Sequence, residues 1–300
     1  MPGSEPHTLV IEVADSGFFS NVNRVVDNLR YALGTGGCEA VRVDWQLDTP
    51  MAEFAYGTPA DGNLWEHFFD PLQFPAAPSL ERRTRGYADS GMTGVHAYRL
   101  YKRGSGWRRG YGATYKSHIR VRAALVQRAD DIWQSRMAGR FCLGVHVRHR
   151  DHGHECPRPA PPADAFVRVA RRLLPRDRDV AVFLATDTTD SVERFETAFG
   201  NDLALQPGVR RARPGEQQLH HAQPAPGVEL GAQVLVDTML LARCDVLLHV
   251  VSNVATAAGY MNPTMRMVYR EPVLTGASAA VRARLSRSPT PSVASALSMR

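Results

Sequence analysis

Residues 141–156 (FCLGVHVRHRDHGHEC) change abruptly from apolar to charged side chains. The first seven residues have the continuous hydrophobicity of a buried strand, and Arg148 follows them at once, ahead of a group of histidines and acids. In α/β proteins the loops after parallel strands meet at the carboxyl edge of the sheet, where ligands bind. The segment is therefore predicted to bring a cation, acids and imidazoles to such an edge.

Two later apolar runs end in groups that complement Arg148. Asp187 follows one of them, and the pair Ser252-Asn253 follows the other. An arginine makes bidentate hydrogen bonds to a phosphate, and the first N–H groups of a helix bind further phosphate oxygens. A carboxylate, either Asp187 or Asp237, can pair with a ribose or a base edge. These residue types at three neighbouring strand ends predict a nucleotide site.

Each of these residues also has a purely structural interpretation. Arg148 could be a solvated arginine at a strand end, and Asp187 could be a turn or capping residue. Ser252 suits a helix cap, which is compatible with phosphate binding. Asp237 lies in an apolar helical stretch, and a buried carboxylate needs a partner, which could be structural.

Alternating strand-like and helical spacing of apolar residues organises the C-terminal half. Strands followed in turn by helices indicate a parallel sheet with helices on both faces. Residues 206–227 are polar and rich in proline, and no element is predicted there. The predicted elements are a helix at 114–137, a strand at 141–147, a helix at 164–174 capped by Asp164, a strand at 179–185, a helix capped by Asp190 and ending at Phe199, a helix at 229–243, a strand at 245–250, a helix capped by Ser252, and a strand at 265–269.

The N-terminal half opens with a strand, a helix and a second strand, predicted at 8–13, 20–33 and 40–45. Residues 46–112 are irregular, aromatic and basic, with one short helix predicted at 63–69. Residues 99–112 are predicted to form either a mobile loop that folds over a ligand or a disordered surface loop. The predicted domains are 1–139 and 140–275, followed by a disordered tail at 276–300.

The composition is that of a soluble globular protein, with 44% hydrophobic and 22% charged residues in 300. No apolar run approaches the ~20 residues that span a membrane, and the N-terminus lacks the pattern of a signal peptide, so a cytoplasmic location is expected. The net charge is +6, and residues 82–122 hold many arginines and lysines. This excess could bind phosphates or nucleic acid, or form a solvated surface. No RRM, KH or OB pattern is present, so nucleic acid is not the expected partner.

The cysteines and histidines give little support for a metal site. The four cysteines contain no CxxC pair. His149, His152, His154 and Cys156 are chemically suitable, but they come from one loop and their spacing matches no zinc pattern. Neither a metal nor another cofactor is predicted.

Three segments resemble the motifs of the nodulation-type and core α1,6-fucosyltransferase superfamily. They are GVHVRHRD, FLATD and VDTMLLARCDVLLHVVSNVATA, in the order and spacing of that family between Gly144 and Ala257. The first half is similar only in general character. The resemblance implies a GT-B fold, with two Rossmann-like domains facing a cleft. It also implies an inverting, metal-independent transfer from GDP-fucose.

The resemblance also implies roles for single residues. Arg148 would hold the β-phosphate and stabilise the leaving group, and His146 would lie against the nucleotide. Asp237 matches the carboxylate that reads guanine, Ser252 the hydroxyl that takes a phosphate oxygen, and Asp187 the acid that shapes the pocket. Asn253 is placed with them at the helix start.

The catalytic base is where the sequence departs from the family. His149 replaces a second arginine that is common in the core enzymes, as the nodulation branch also tolerates. Glu155 lies one position short of the register of the family's glutamate, so Asp151 and His154 are alternative bases. All three are within a few residues of Arg148.

The sequence leaves the substrates partly open. The alternatives are a transferase that uses another nucleotide sugar, and a non-catalytic protein that binds nucleotides or polyanions. The acceptor is expected to be a glycan or a secondary metabolite. No pattern in the sequence indicates an oligomeric state.

Overall fold

A computed structural model describes residues 6–14, 16–35, 38–46, 62–74, 80–88, 104–148, 161–213 and 227–269. The N-terminal half contains β1 (His7–Glu12), α1 (Phe18–Thr35), β2 (Cys38–Asp44), a 3-10 turn (Leu64–His67), β3 (Glu81–Thr84), α2 (Gly104–His118) and α3 (Ala123–Arg136). The C-terminal half contains β4 (Phe141–Val147), α4 (Ala163–Leu173), β5 (Val180–Thr186), α5 (Thr189–Phe199), a 3-10 turn (Gly200–Asp202), β6 (Leu203–Ala204), α6 (Gly227–Arg243), β7 (Val246–His249), α7 (Asn253–Met261) and β8 (Arg266–Tyr269).

The strands of the described residues form two parallel sheets. The N-terminal sheet has the order β2-β1-β3, and the C-terminal sheet has the order β6-β5-β4-β7-β8. Numbered along its own half of the chain, the larger sheet therefore runs 3-2-1-4-5, which is the order of a doubly wound nucleotide-binding fold. The predicted α/β architecture with a parallel C-terminal sheet is confirmed.

Helices cover both faces of the larger sheet, which explains why its strands are apolar throughout. On one face Cys142, Phe183 and Leu247 pack with α3 and α6. On the other face Val145 and Leu184 pack with α4 and α5. Strands buried on both sides need apolar residues at consecutive positions, as the sequence predicted.

Gly144 allows α6 to approach β4 closely. A Cβ at this position would lie 3.1 Å from Cys244 Sγ and 3.1 Å from Leu241 Cδ2. Such contacts are tighter than ordinary van der Waals packing. The glycine at the centre of the predicted motif is therefore explained by helix–sheet packing.

An aromatic cluster forms the core of the N-terminal half. Phe18 packs edge-on against Phe68 at 4.8 Å, and Trp65 stacks on Phe69 at 4.2 Å between ring centroids. The same core contains Leu235 and Tyr260 from α6 and α7. The two halves of the chain therefore share a buried core.

The prediction that residues 99–112 form a loop is wrong for the part that the structure describes. Residues 104–112 belong to α2, which packs against α1 and α7. Tyr111 is buried and donates a hydrogen bond to Asp27 Oδ1 at 2.7 Å. Tertiary packing has overridden the low helix propensity of the glycines. Residues 99–103 lie outside the described residues.

The single helix predicted at 114–137 is in fact two helices, α2 and α3. Between them the chain is extended and forms an antiparallel bridge between Val121 and Phe69. The N–H of Asp70 donates to the Arg120 carbonyl at 2.8 Å, and the N–H of Arg122 donates to the Phe68 carbonyl at 2.9 Å. The helical hydrogen bonds are thus replaced by bonds to the aromatic segment.

Two predicted helix caps are also wrong. Asp164 lies in the first turn of α4, whose N-cap is Pro162. Asp190 lies in the first turn of α5, whose N-cap Thr188 accepts a hydrogen bond from the Ser191 N–H. An acid in a first turn is stabilised by the helix dipole, which gives nearly the same sequence pattern as a cap.

The remaining elements differ from prediction in smaller ways. The helix predicted at 63–69 is the 3-10 turn Leu64–His67, capped by Asn63. Strands β3 and β6 were not predicted. The tail at 276–300 and residues 214–226 lie outside the described residues. Within the described ranges no helix is long and apolar enough to cross a membrane. The expected cytoplasmic location stays a prediction.

Candidate functional site

The three predicted strand ends are neighbours at one edge of the C-terminal sheet. Central β4 pairs with β5 through Val147 and Thr186, and with β7 through His146 and His249. Adjacent strands are about 4.8 Å apart, so the residues that follow them share one edge. Half-buried Arg148 directly follows β4, and half-buried Asp187 directly follows β5. The predicted convergence of these backbone positions is confirmed.

The strand order predicts a crevice at this edge. Chain connections run outward from β4 toward β6 on one side and return to β7 and β8 on the other. The order reverses between β4 and β7, and ligands of doubly wound sheets bind at this topological switch point. Arg148 directly follows one of these two strands, and Ser252 lies just beyond the other.

Ser252 shapes the start of α7. Its extended backbone, with φ −163 and ψ 156, is that of an N-cap, and its Oγ accepts a hydrogen bond from the Ala255 N–H at 3.0 Å. The predicted cap is therefore confirmed. Asn253, half-buried, is the first residue of the helix. The positive end of the α7 dipole consequently lies at the switch point, where it favours an anion.

Two buried histidines form the last residue pair between β4 and β7. His146 and His249 are in register on β4 and β7 and face the same side. The His249 ring is fully buried, and its Nδ1 lies 2.9 Å from the Val250 carbonyl oxygen. Burial lowers the pKa of His249 to about 4, against the opposing effect of that carbonyl. His249 is neutral at pH 7, and Nδ1 carries the proton that it donates to Val250.

Asp237 lies in a buried polar cluster. Its carboxylate Oδ1 accepts a hydrogen bond from the Gln206 amide at 2.6 Å, in the amide orientation that satisfies all partners. The Gln206 amide nitrogen also donates to the Gln233 carbonyl at 3.0 Å, and its oxygen accepts from Arg128 Nη2 at 2.9 Å. Burial raises the pKa of Asp237 to about 7, although Arg211 and Arg128 act in the opposite direction.

The loop before residue 214 connects this cluster to Asp187. The Ala212 N–H donates to the Asp187 main-chain carbonyl at 2.9 Å, and the Ala212 carbonyl accepts from the Thr189 N–H at 3.0 Å. Arg211 has two buried nitrogens, Nε and Nη2, that have no hydrogen-bond partner among the described residues. Burial lowers the pKa of Arg211. Asp187 and Asp237 are thus linked through one short segment.

The sequence profile of the nodulation protein Z family matches residues 111–260, which is half of the chain. The chain belongs to the nodulation protein Z family.

Similarity to individual members of the nodulation protein Z family is local. Nodulation protein Z of Sinorhizobium fredii is 33% identical over 135 residues, which cover 42% of this chain and 41% of that protein. The corresponding protein of Azorhizobium caulinodans is 32% identical over 143 residues, or 45% of this chain and 42% of that protein. The matched segment therefore spans about two fifths of the length of these curated relatives.

Solved structures of the family extend the similarity of fold to most of the chain. The fucosyltransferase NodZ from Bradyrhizobium superposes with a TM-score of 0.56 at 16% identity, covering 89% of this chain and 96% of that one. NodZ α1,6-fucosyltransferase soaked with GDP-fucose gives a TM-score of 0.53 at 17% identity, with coverages of 86% and 93%. The predicted GT-B fold is confirmed.

Several of the predicted site residues lie outside the described residues. The base candidates Asp151, His154 and Glu155 lie outside the described residues, as do the possible metal ligands His149, His152 and Cys156. In the part of the chain that is described, no three His, Cys, Asp or Glu side chains are grouped to hold a metal ion.

Sequence reasoning missed the polar residues that surround the predicted ones. Gln206, Arg211 and Arg128 enclose Asp237, and Asn23 from α1 reaches Asn253. Gln206 lies in a segment without regular structure, and Asn23 lies far away in sequence. Asn23 is one of several amides in α1, and nothing in the sequence distinguishes it from Asn21 or Asn28.

Proposed function

We propose that this chain is an inverting, metal-independent glycosyltransferase that transfers fucose from GDP-fucose to a hydroxyl group of a glycan or small molecule. The observation that carries the proposal is the topological switch point between β4 and β7, with Arg148 after one strand and the capped start of α7 after the other. Its chemistry suits a diphosphate. Membership of the nodulation protein Z family, with a relative solved after soaking in GDP-fucose, favours this donor.

The positive charge for the leaving diphosphate comes from Arg148 in this proposal. As the glycosidic bond from sugar C1 to the β-phosphate breaks, negative charge develops on GDP. A bidentate guanidinium and the dipole of α7 stabilise this charge in place of a metal ion. Neutral His249 contributes no charge at this position, and His146, its neighbour on β4, is proposed to lie against the nucleotide.

Asp237 is the proposed contact for guanine, and Asp187 is proposed to shape the nucleotide pocket. In its ionised form, which predominates above its pKa of about 7, the Asp237 carboxylate accepts hydrogen bonds from the two N–H donors on guanine's Watson–Crick edge. The buried cluster around Asp237 fixes the position of its carboxylate through Gln206. Ser252 is proposed to donate its hydroxyl hydrogen to a phosphate oxygen while its lone pair continues to cap α7.

The acceptor hydroxyl attacks C1 on the face opposite GDP in an inverting transfer. Its oxygen forms the new bond to C1 as the bond to phosphate breaks, and its proton passes to a base of the enzyme. Glu155, Asp151 and His154 are the proposed candidates because they follow Arg148 closely in sequence. In this arrangement residues 140–275 bind the donor, and residues 1–139 face the acceptor.

Calorimetric titration with GDP, UDP and RNA, together with product-nucleotide release from GDP-fucose, tests the proposal. Arg148→Ala is compared with Arg140→Ala, which removes an arginine at the opposite end of the same strand, where it pairs with Asp179 and Asp202. We expect GDP to bind in preference to UDP. Arg148→Ala should weaken GDP binding about 100-fold, because it removes a pair of charge-assisted hydrogen bonds to the phosphate. Arg140→Ala should leave GDP binding unchanged.

Three results would point elsewhere. Preference for UDP would support transfer from another nucleotide sugar. Equal binding of all polyanions with a steep salt dependence would support the non-catalytic alternative. Turnover that is abolished by EDTA and restored by a divalent ion would overturn the metal-independent mechanism.

A further inference from the structure

Asn23 on α1 connects the N-terminal half of the chain to the start of α7. Its Nδ2 donates to the main-chain oxygen of Asn253 at 3.3 Å and to Asn253 Oδ1 at 3.2 Å. Its Oδ1 accepts a hydrogen bond from the Tyr260 hydroxyl at 3.0 Å. Asn23 is 1% exposed, so its amide is committed to α7 rather than to water. Both donor hydrogens and the acceptor of one side chain are therefore used on a single helix.

The two contacts hold α7 at both ends. Asn253 is the first residue of this helix, and Tyr260 lies about two turns later. Contacts at two separated points fix the direction of a helix axis as well as its rotation. Ser252, which caps the same helix, lies next to Asn253. The position of the α7 N-terminus therefore depends on a side chain of the other half of the chain.

The segment that directly follows α7 is held by further contacts that do not involve Asn23. Arg108 of α2 donates to the Met265 carbonyl at 2.8 Å, and Asn262 Nδ2 donates to the Ala242 carbonyl at 2.9 Å. Loss of Asn23 would consequently leave the C-terminal end of the helix in place. The displacement would be concentrated at Ser252 and Asn253, next to the topological switch point.

We infer that Asn23 is a positioning residue for the donor diphosphate, acting through Asn253 to orient the N-terminus of α7 toward the phosphates. The inference rests on the proposed function, because it requires that GDP bind at this helix end. A displacement of about 1 Å is enough to weaken interactions that depend on alignment. Asn23 itself need not touch the donor.

Asn28 offers a matched control on the same helix. It is 3% exposed, and its Nδ2 donates to the Arg24 carbonyl at 2.9 Å and to the Gly86 carbonyl at 2.9 Å. Both acceptors lie within the N-terminal half. Asn23→Ala and Asn28→Ala each remove a buried amide from α1, and both should lower the free energy of unfolding. Only Asn23→Ala removes a contact to α7.

The experiment measures the GDP dissociation constant by calorimetry and the free energy of unfolding in urea for the 300-residue chain and its variants. We expect Asn23→Ala to raise the GDP dissociation constant about tenfold, and Asn28→Ala to change it less than about twofold. The KM for the donor should follow the dissociation constant. Equal effects of the two variants on GDP would show that Asn23 is only structural.

Tyr260→Phe keeps the test decisive if Asn23→Ala does not fold. This variant preserves the ring packed on Tyr115 and removes the hydroxyl that donates to Asn23 Oδ1. The Asn23 amide then loses the bond that orients its Nδ2 toward Asn253, so we expect an increase of about threefold in the GDP dissociation constant. An unchanged constant would overturn the inference.

The wild-type control separates the two levels of the argument. If the wild type does not bind GDP, the proposed function fails and the inference fails with it. If the wild type binds GDP and Arg148→Ala does not, an unaltered affinity in Asn23→Ala and Tyr260→Phe refutes the inference alone.

Discussion

Two buried groups in the C-terminal half should give this protein opposite responses to acid in the same pH range. Burial raises the pKa of Asp237 from 3.8 to about 7, and burial lowers the pKa of His249 from 6.5 to about 4. Between pH 4 and 6.5 the folded state therefore holds one proton more than the unfolded state at Asp237. It holds one proton fewer at His249. We predict that their contributions largely cancel in the wild type.

The sign and size follow from proton linkage. The contribution of Asp237 to stability is fully present below pH 3.8 and is lost as the pH rises toward 7. The contribution of His249 is fully present above pH 6.5 and is lost as the pH falls toward 4. One proton corresponds to about 1.4 kcal/mol per pH unit. Over two pH units each group therefore changes the free energy of unfolding by about 2.5 kcal/mol, in opposite directions.

The perturbations are Asp237→Asn and His249→Asn, each followed by urea unfolding at pH 4.5, 5.5 and 6.5. An amide at position 237 can still accept a hydrogen bond from Gln206. Asp237→Asn should make stability fall more steeply with acid than in the wild type, because His249 then acts alone. His249→Asn should make it fall less steeply, and the double variant should return to the wild-type slope.

Neighbouring charges and net charge are controlled separately. Arg211 and Arg128 face Asp237, and Arg108 faces His249; none of these arginines titrates in this pH range. Asp190→Asn supplies the same change in net charge at an exposed position. Parallel stability curves for the wild type and both single variants would refute the reasoning, since they would show that neither buried group exchanges a proton on unfolding.

Two further predictions test the corrected elements of the fold. Gly112→Ala places a Cβ within 3.0 Å of the Tyr260 main-chain carbonyl, so α2 and α7 must separate. We expect the free energy of unfolding in urea to fall by about 1–3 kcal/mol. Gly106→Ala lies on the same helix, and its Cβ meets no atom closer than 3.9 Å, so we expect a small gain in that free energy. An equal effect of the two substitutions would contradict the close packing of α2 on α7. Thr188→Ala removes the N-cap of α5 and should lower the free energy of unfolding by about 1 kcal/mol. Asp190→Ala should lower it by only about 0.3 kcal/mol, the effect of a charge near a helix N-terminus. The reverse order of the two variants in thermal unfolding would show that Asp190 is the cap.

Much of the C-terminal half could be predicted because burial on both faces leaves a direct trace in the sequence. Strands such as Phe141–Val147 and Val180–Thr186 must be apolar at consecutive positions, since helices cover both sides of them. Charged or polar residues then mark where each strand ends. The convergence of Arg148, Asp187 and Ser252 on one edge follows from this pattern together with the rule that crossover connections are right-handed and parallel.

The N-terminal elements were harder to predict because their stability comes from distant partners. Strand Glu81–Thr84 is mostly exposed and charged, and it is held by pairing with β1 and by ion pairs such as Arg42 with Glu81 at 2.8 Å. Four glycines disguise α2, and the close approach of α2 to α7 requires one of them, Gly112. Asn23 has a partner 230 residues away, a relationship that no local pattern contains.

The core shared by the two halves has a consequence for how the chain is made. Phe18, Trp65 and Tyr115 belong to the same buried core as Leu235 and Tyr260, which leave the ribosome much later than α1 and α2. At 5–20 residues per second, synthesis of the intervening stretch takes on the order of ten seconds. During that interval the nascent N-terminal half lacks the residues of α6 and α7 that complete this core. Translation speed and chaperone access should therefore influence the yield of this protein more than its modest size suggests.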